Sequence, residues 1–126
     1  MSNFDLSQSS YSLKTKIKTG DSMGVHRITS EAAKYYAQRE KVVGAGISLL
    51  GEASLNLDKL NKEQLEKLGD LAAKLLPHSP GYAGKMMPIV ARLLWRLAGV
   101  GEKDFGFAEL NELEKEIEKL KDELGF

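Results

Sequence analysis

From Thr29 to Leu124 apolar residues recur at intervals of three and four, the period of an α-helix, and polar breaks divide the stretch into four segments. The first helix is expected to start at Thr29 or Ser30, either a good cap, with Glu31 near the positive end of the helix dipole. It should run to about Glu52, with Ala32, Tyr36, Val43, Ile47 and Leu50 as its apolar stripe. Lys34, Gln38, Lys41, Ala45 and Ser48 line the opposite side. Gly44 and Gly46 each cost about 1 kcal/mol in a helix interior, so something must approach the backbone there. A neighbouring helix or a polynucleotide backbone would both explain them.

The second helix is expected from Asn61 to Leu76, opened by a capping box between Asn61 and Gln64. Leu65, Leu68, Ala72, Leu75 and Leu76 point inward, while Glu63–Lys67 and Asp70–Lys74 form i,i+4 pairs outside. After "PHSPG" the helical pattern restarts at Ser79 and Pro80 and ends at Gly99. Pro88 must kink that third helix or open a new segment. The fourth runs from about Phe107 to Leu124. Its seam of Leu110, Leu113, Ile117, Leu120 and Leu124 has 3-4-3-4 spacing over about two heptads. That length is too short to hold a free dimer in water. The seam therefore packs on its own domain or serves subunit packing in an assembly.

Residues 1–28 lack the helical period. Tyr11, Leu13, Thr15 and Ile17 alternate with Lys14, Lys16 and Lys18, as in an extended arm. The sum is an all-α protein: a small bundle of about four helices behind an extended N-terminal arm. Three regions are expected: a basic arm at 1–28, a helical core at 29–101 and an acidic helix at 102–126. The length of 126 residues, with 42% hydrophobic and 29% charged, suits one domain with a modest core. The net charge is zero, but it is unevenly spread. Residues 1–101 hold 14 Lys/Arg against 9 Asp/Glu, and residues 102–126 hold 4 against 9. Such asymmetry points to an anionic partner for the body.

The chain has no cysteine, which removes disulfides and thiolate metal sites. No apolar run is long enough to span a membrane, and the N-terminus lacks the pattern of a secretory signal. No phosphate-cradling glycine loop, metal motif or nucleophile–base pair stands out. His26 and His78 fall in expected loops and read as surface residues. Neither an enzyme nor a cofactor or small-molecule substrate is expected.

Positive charge is more informative. In "GKMMPIVARLLWRLAG", Lys85, Arg92 and Arg96 fall within about 40° of one another on a helical wheel. Met87, Val90, Ala91, Leu94, Leu97 and Ala98 fall on the other side, and Trp95 flanks the cations. Solvated faces usually mix charge signs, so a face of one sign suggests a polyanion alongside it. Lys14, Lys16, Lys18, Arg27, Lys34, Lys41, Lys85, Arg92 and Arg96 are the candidate nucleic-acid contacts. They grip phosphates rather than read bases, because no Arg, Asn or Gln is placed for base edges.

The stretch "SPGYAGKMMPIVARLLWRLAG", with the arm and first helix, resembles the major coat proteins of archaeal filamentous and rod-shaped double-stranded DNA viruses. The resemblance covers residues 11–99 by pattern. It implies paired helical subunits wrapped around A-form DNA in a virion, with Lys34, Lys41, Lys85, Arg92 and Arg96 against the DNA. It also implies a partner subunit, a copy or a related second coat protein, and an acidic tail facing neighbouring subunits or an envelope. Two alternatives remain open: a cytoplasmic DNA-binding regulator dimerising through its last helix, and a helical protein-interaction module without nucleic acid.

Overall fold

The computed structural model describes residues 22–126, and these are all-α, with four α-helices, two 3-10 turns and no strand. In chain order they are α1 (Ser22–Ser54), α2 (Lys62–Leu75), α3 (Gly81–Leu97) and α4 (Leu110–Leu124). The 3-10 turns Leu57–Lys59 and Leu76–His78 lie before and after α2. The lysines expected on an extended arm, Lys14, Lys16 and Lys18, lie outside the described residues. Two compact units divide at Ala37 and Gln38, so α1 supplies residues to both, and α4 belongs to the second unit.

α1 starts at Ser22, not at Thr29 or Ser30, so residues 22–28 are helix rather than arm. The reason is visible in the spacing. Val25 and Ile28 extend the 3-4 period of Ala32 and Tyr35 back ahead of Thr29, and a cap preference worth about 1 kcal/mol does not stop a helix by itself. In the first unit, residues 22–37 expose Met23, Val25, Ile28, Tyr35 and Tyr36.

In the second unit α2 is the central element. Leu68, Leu71, Ala72 and Leu75 are completely buried, and Leu65, Gly69 and Ala73 nearly so. At 100° per residue these positions cover more than half of the helix circumference. One flank meets α3: a Cβ at Gly69 would sit 2.7 Å from Trp95 Nε1 and 3.2 Å from the Ala91 carbonyl oxygen. The other flank meets α1 and α4. A Cβ at Gly46 would sit 2.7 Å from Leu75 Cδ1 and 3.3 Å from Ile117 Cδ1. Of the two glycines read as points of close approach, Gly46 is one, and a neighbouring helix is the cause. Gly44 has nothing within 4 Å.

The expected capping box is present. Asn61 accepts from the Gln64 amide at 2.8 Å, and the Asn61 amide donates back to Gln64 Oε1 at 3.0 Å. α3 passes through Pro88 as one element, and Gly99, at φ +78°, closes its C-terminal end. α4 opens at Leu110 rather than Phe107. Its seam has one of the two expected homes. Leu110, Leu113, Ile117 and Leu120 are buried, and Leu124 is half-buried against the chain's own core. These five residues thus pack within the chain, the first of the two homes expected of them.

Candidate functional site

Six of the nine cations singled out in the sequence fall among the described residues, two in the first unit and four in the second. Arg27 and Lys34 stand exposed on residues 22–37. Lys41 is exposed but paired with Glu114 Oε2 of α4 at 3.3 Å. On α3, Lys85, Arg92 and Arg96 share one edge as expected, and all three are exposed. Arg92 pairs with Glu102, from the connector after α3, and its guanidinium lies 5.2 Å from the centre of the Phe105 ring. Among the described residues, Lys85 and Arg96 have no carboxylate within pairing distance.

The buried arc of α3 consists of Met87, Ala91, Leu94 and Trp95, with Ala98 just beyond its end. Leu97, expected on that side, is 53% exposed, and Trp95, expected to flank the cations, is 1% exposed. The centre of the outward arc is therefore apolar, with Tyr82, Ile89, Leu93 and Leu97 between 47% and 76% exposed. Ile89, Leu93 and Leu97 lie at i, i+4 and i+8, a ridge along the helix. The half-buried Met86 and Val90 support its inner edge. Beside the ridge runs the cationic edge. Gly81–Leu97 contains no Asp or Glu. The spacing does not reveal the ridge because α3 is apolar on two sides: Leu97 reads as core, and Ile89 and Leu93 fall on neither of the two expected sides.

Behind this face the connector is fastened by polar groups that spacing did not reveal. The Trp95 indole N–H donates to Asp70 Oδ1 at 2.9 Å. Lys103 donates to the same oxygen at 2.8 Å and to Glu66 Oε2 at 2.7 Å. Phe105 meets the Trp95 ring edge-on, with centroids 5.5 Å apart. Asp70 thus serves Trp95 and Lys103 rather than its expected partner Lys74, which pairs with Glu116 at 3.0 Å. His78 is buried rather than a surface residue. Its Nε2–H donates to the Ala108 carbonyl at 2.8 Å, and its Nδ1 is buried without a partner. His26 lies within α1, not in a loop.

The hydrogen bonds it donates to Asp70 and then Glu66 hold the Lys103 ammonium above its ordinary pKa, against a smaller desolvation effect. A raised folded-state pKa means the stabilisation is complete below the ordinary lysine value of about 10.4 and is lost as pH climbs through the folded value. Lys103 is more than a third exposed, so the effect is modest. Thermal melts should show the wild type above Lys103→Met at pH 8–9, with the gap closing on further alkalinisation. A gap that widens with pH would contradict this assignment.

A groove of about 290 Å³ between α2 and α4 is lined by Lys67, Lys74, Lys115 and Lys119 together with Asp70, Glu116 and Glu123. Its opposite charges already pair: Lys67 with Glu123 and Lys74 with Glu116. Among the described residues no cluster of three or more His, Asp or Glu is placed to hold a metal ion, and no helix is long and apolar enough to cross a membrane.

The fold and this face define a small all-α protein whose second unit is built around α2, with an apolar and cationic outer surface on α3. No family model matches the chain, and no solved structure matches it. It is similar to a protein of Archaeoglobus fulgidus described as uncharacterized, 92% identical over 104 residues, which are 82% of this chain and 96% of that protein. The chain belongs to the family of that protein.

Proposed function

We propose that the chain is a helical interaction module that works by binding, and that its binding surface is the outer face of α3, which takes a polypeptide partner. The observation behind this reading is the exposed ridge of Ile89, Leu93 and Leu97, with Tyr82 ahead of it, beside an edge of cations with no carboxylate on the helix. Large contiguous apolar patches rimmed by polar residues mark interaction sites. A phosphate backbone would satisfy the cations but leave the ridge wet.

A photo-reactive benzophenone side chain at position 93 tests this inside cells. The expected result is a discrete polypeptide adduct that is missing when the same group replaces Glu118, on the exposed side of α4. Adducts only to nucleic acid, or equal adducts from both positions, would overturn the reading.

The DNA-packing coat protein suggested by the resemblance is the second reading. It is favoured by Lys85 and Arg96, exposed with no carboxylate partner among the described residues, and by the exposed Arg27 and Lys34. It would place the protein in a virion, with copies of itself or a related subunit as neighbours. The apolar ridge weighs against it, since a phosphate backbone gives Ile89, Leu93 and Leu97 no apolar cover. Under this reading, duplex binding would fall steeply with salt and disappear in a Lys85→Glu/Arg96→Glu variant.

A further inference from the structure

We infer that the partner of α3 is an acidic amphipathic helix from a different polypeptide, and that Glu102 holds the place of one of its carboxylates on Arg92. This rests on the reading of α3's outer face as the protein-binding surface. Two features of that face specify the occupant. The ridge at i, i+4 and i+8 is the surface that a second helix packs against, ridge into groove. Along its edge, Lys85, Arg92 and Arg96 are separated by about 10 Å and 6 Å of helical rise. A partner helix matches them with acids four and seven residues apart on one edge, next to its own apolar seam.

A second copy of this chain supplies no such helix among the described residues. α4 carries many acids, but its apolar seam is buried in its own core. The other helical stretch with exposed apolar side chains, residues 22–37, carries Arg27 and Lys34 and only one acid, Glu31. It would bring cations to cations. Because the described residues offer no such helix, the negative charge is assigned to another polypeptide.

Glu102 shows where that charge would sit. Its carboxylate meets Arg92 while both side chains are at least half exposed, 51% for Arg92 and 60% for Glu102. Exposed pairs of this kind are weak and readily exchanged. Phe105, under the guanidinium, keeps Arg92 at the edge of the ridge whichever carboxylate it meets. When a partner docks, its carboxylate takes over from Glu102, and the connector's acid is released to water. Glu102 is thus a built-in competitor that lowers affinity and sharpens selection for an acidic partner.

The test uses the full chain and three labelled 18-residue helical peptides, read by fluorescence anisotropy. One has a leucine ridge with glutamates along the matching edge. The second has the same composition with the glutamates on the opposite edge, and the third has lysine in place of each glutamate. A random duplex and vesicles rich in phosphatidylserine complete the set. The expected result is binding of the first peptide alone, weakening as salt rises. Arg96→Glu and Leu93→Ser should each weaken it by about tenfold or more, while Glu102→Gln tightens it by about two- to fivefold. Both altered binding residues are exposed, and circular dichroism confirms folding; Leu97→Ser replaces any variant that fails that check. Equal binding of the three peptides, binding of none, or preference for duplex or vesicle overturns the inference. An unchanged or lower affinity in Glu102→Gln removes the competitor role. A polypeptide adduct at position 93 in cells, without acidic-peptide binding, would leave the interaction module standing and reject only this partner.

Discussion

Trp95→Ala is expected to lose most of the protein's stability. The side chain is 1% exposed and is the largest of the fully buried set. Its ring covers Gly69 on α2, its N–H donates to Asp70, and Phe105 packs edge-on against it. Truncation to alanine removes the transfer free energy and leaves a cavity, together costing about 3–5 kcal/mol. Against a total stability of about 5–15 kcal/mol for a small domain, that is a large share. Trp95→Phe keeps a ring over Gly69 and gives up only the donor and some volume, so it should cost much less. Urea unfolding followed by far-UV circular dichroism would measure both, since the chain's one tryptophan is the residue removed. Equal stability of the two variants would show that the ring does not join α2 to α3.

Gly69→Ala approaches the same contact from the other side. A Cβ there would lie 2.5 Å from Trp95 Cδ1 and 2.7 Å from its Nε1. The indole has little room to retreat, because Asp70 holds its N–H and Phe105 flanks it. The Ala91 carbonyl, at 3.2 Å, is backbone and moves only with α3. Overpacking of this kind costs about 1–3 kcal/mol, more than alanine's advantage of about 1 kcal/mol over glycine inside a helix. Gly44→Ala has open space around it and should gain that advantage. The two glycine-to-alanine changes should therefore shift the melting temperature in opposite directions. In a Trp95→Leu background the Gly69→Ala penalty should largely disappear, a non-additivity expected only of direct neighbours. Additive costs in that double variant would place the clash elsewhere.

What could be read from the chain followed from regular spacing. The box at Asn61 and Gln64, the seam from Leu110 to Leu124 and the core side of α2 depend on intervals of three and four, which survive any tertiary arrangement. α1 starts ahead of the good caps at Thr29 and Ser30 because its period continues back through Ile28 and Val25. The site was legible in half. The edge of Lys85, Arg92 and Arg96 is a property of one helix and so appeared in the sequence. The acid on Arg92 comes from a connector ten residues later, and no period links them. Leu97 and Trp95 exchanged their expected places because α3 is apolar nearly all round. Its rotation about its own axis is set by Gly69, where only a bare backbone admits the indole.

That rotation gives the molecule an unlabelled optical readout. The sole fluorophore of its kind lies on the inner side of the helix whose outer side carries the ridge, and Phe105 touches both the indole and the Arg92 guanidinium. Release of Glu102 from Arg92 changes the charge beside Phe105 and the indole without moving either ring, so a shift in the emission of the native protein is the expected sign of docking.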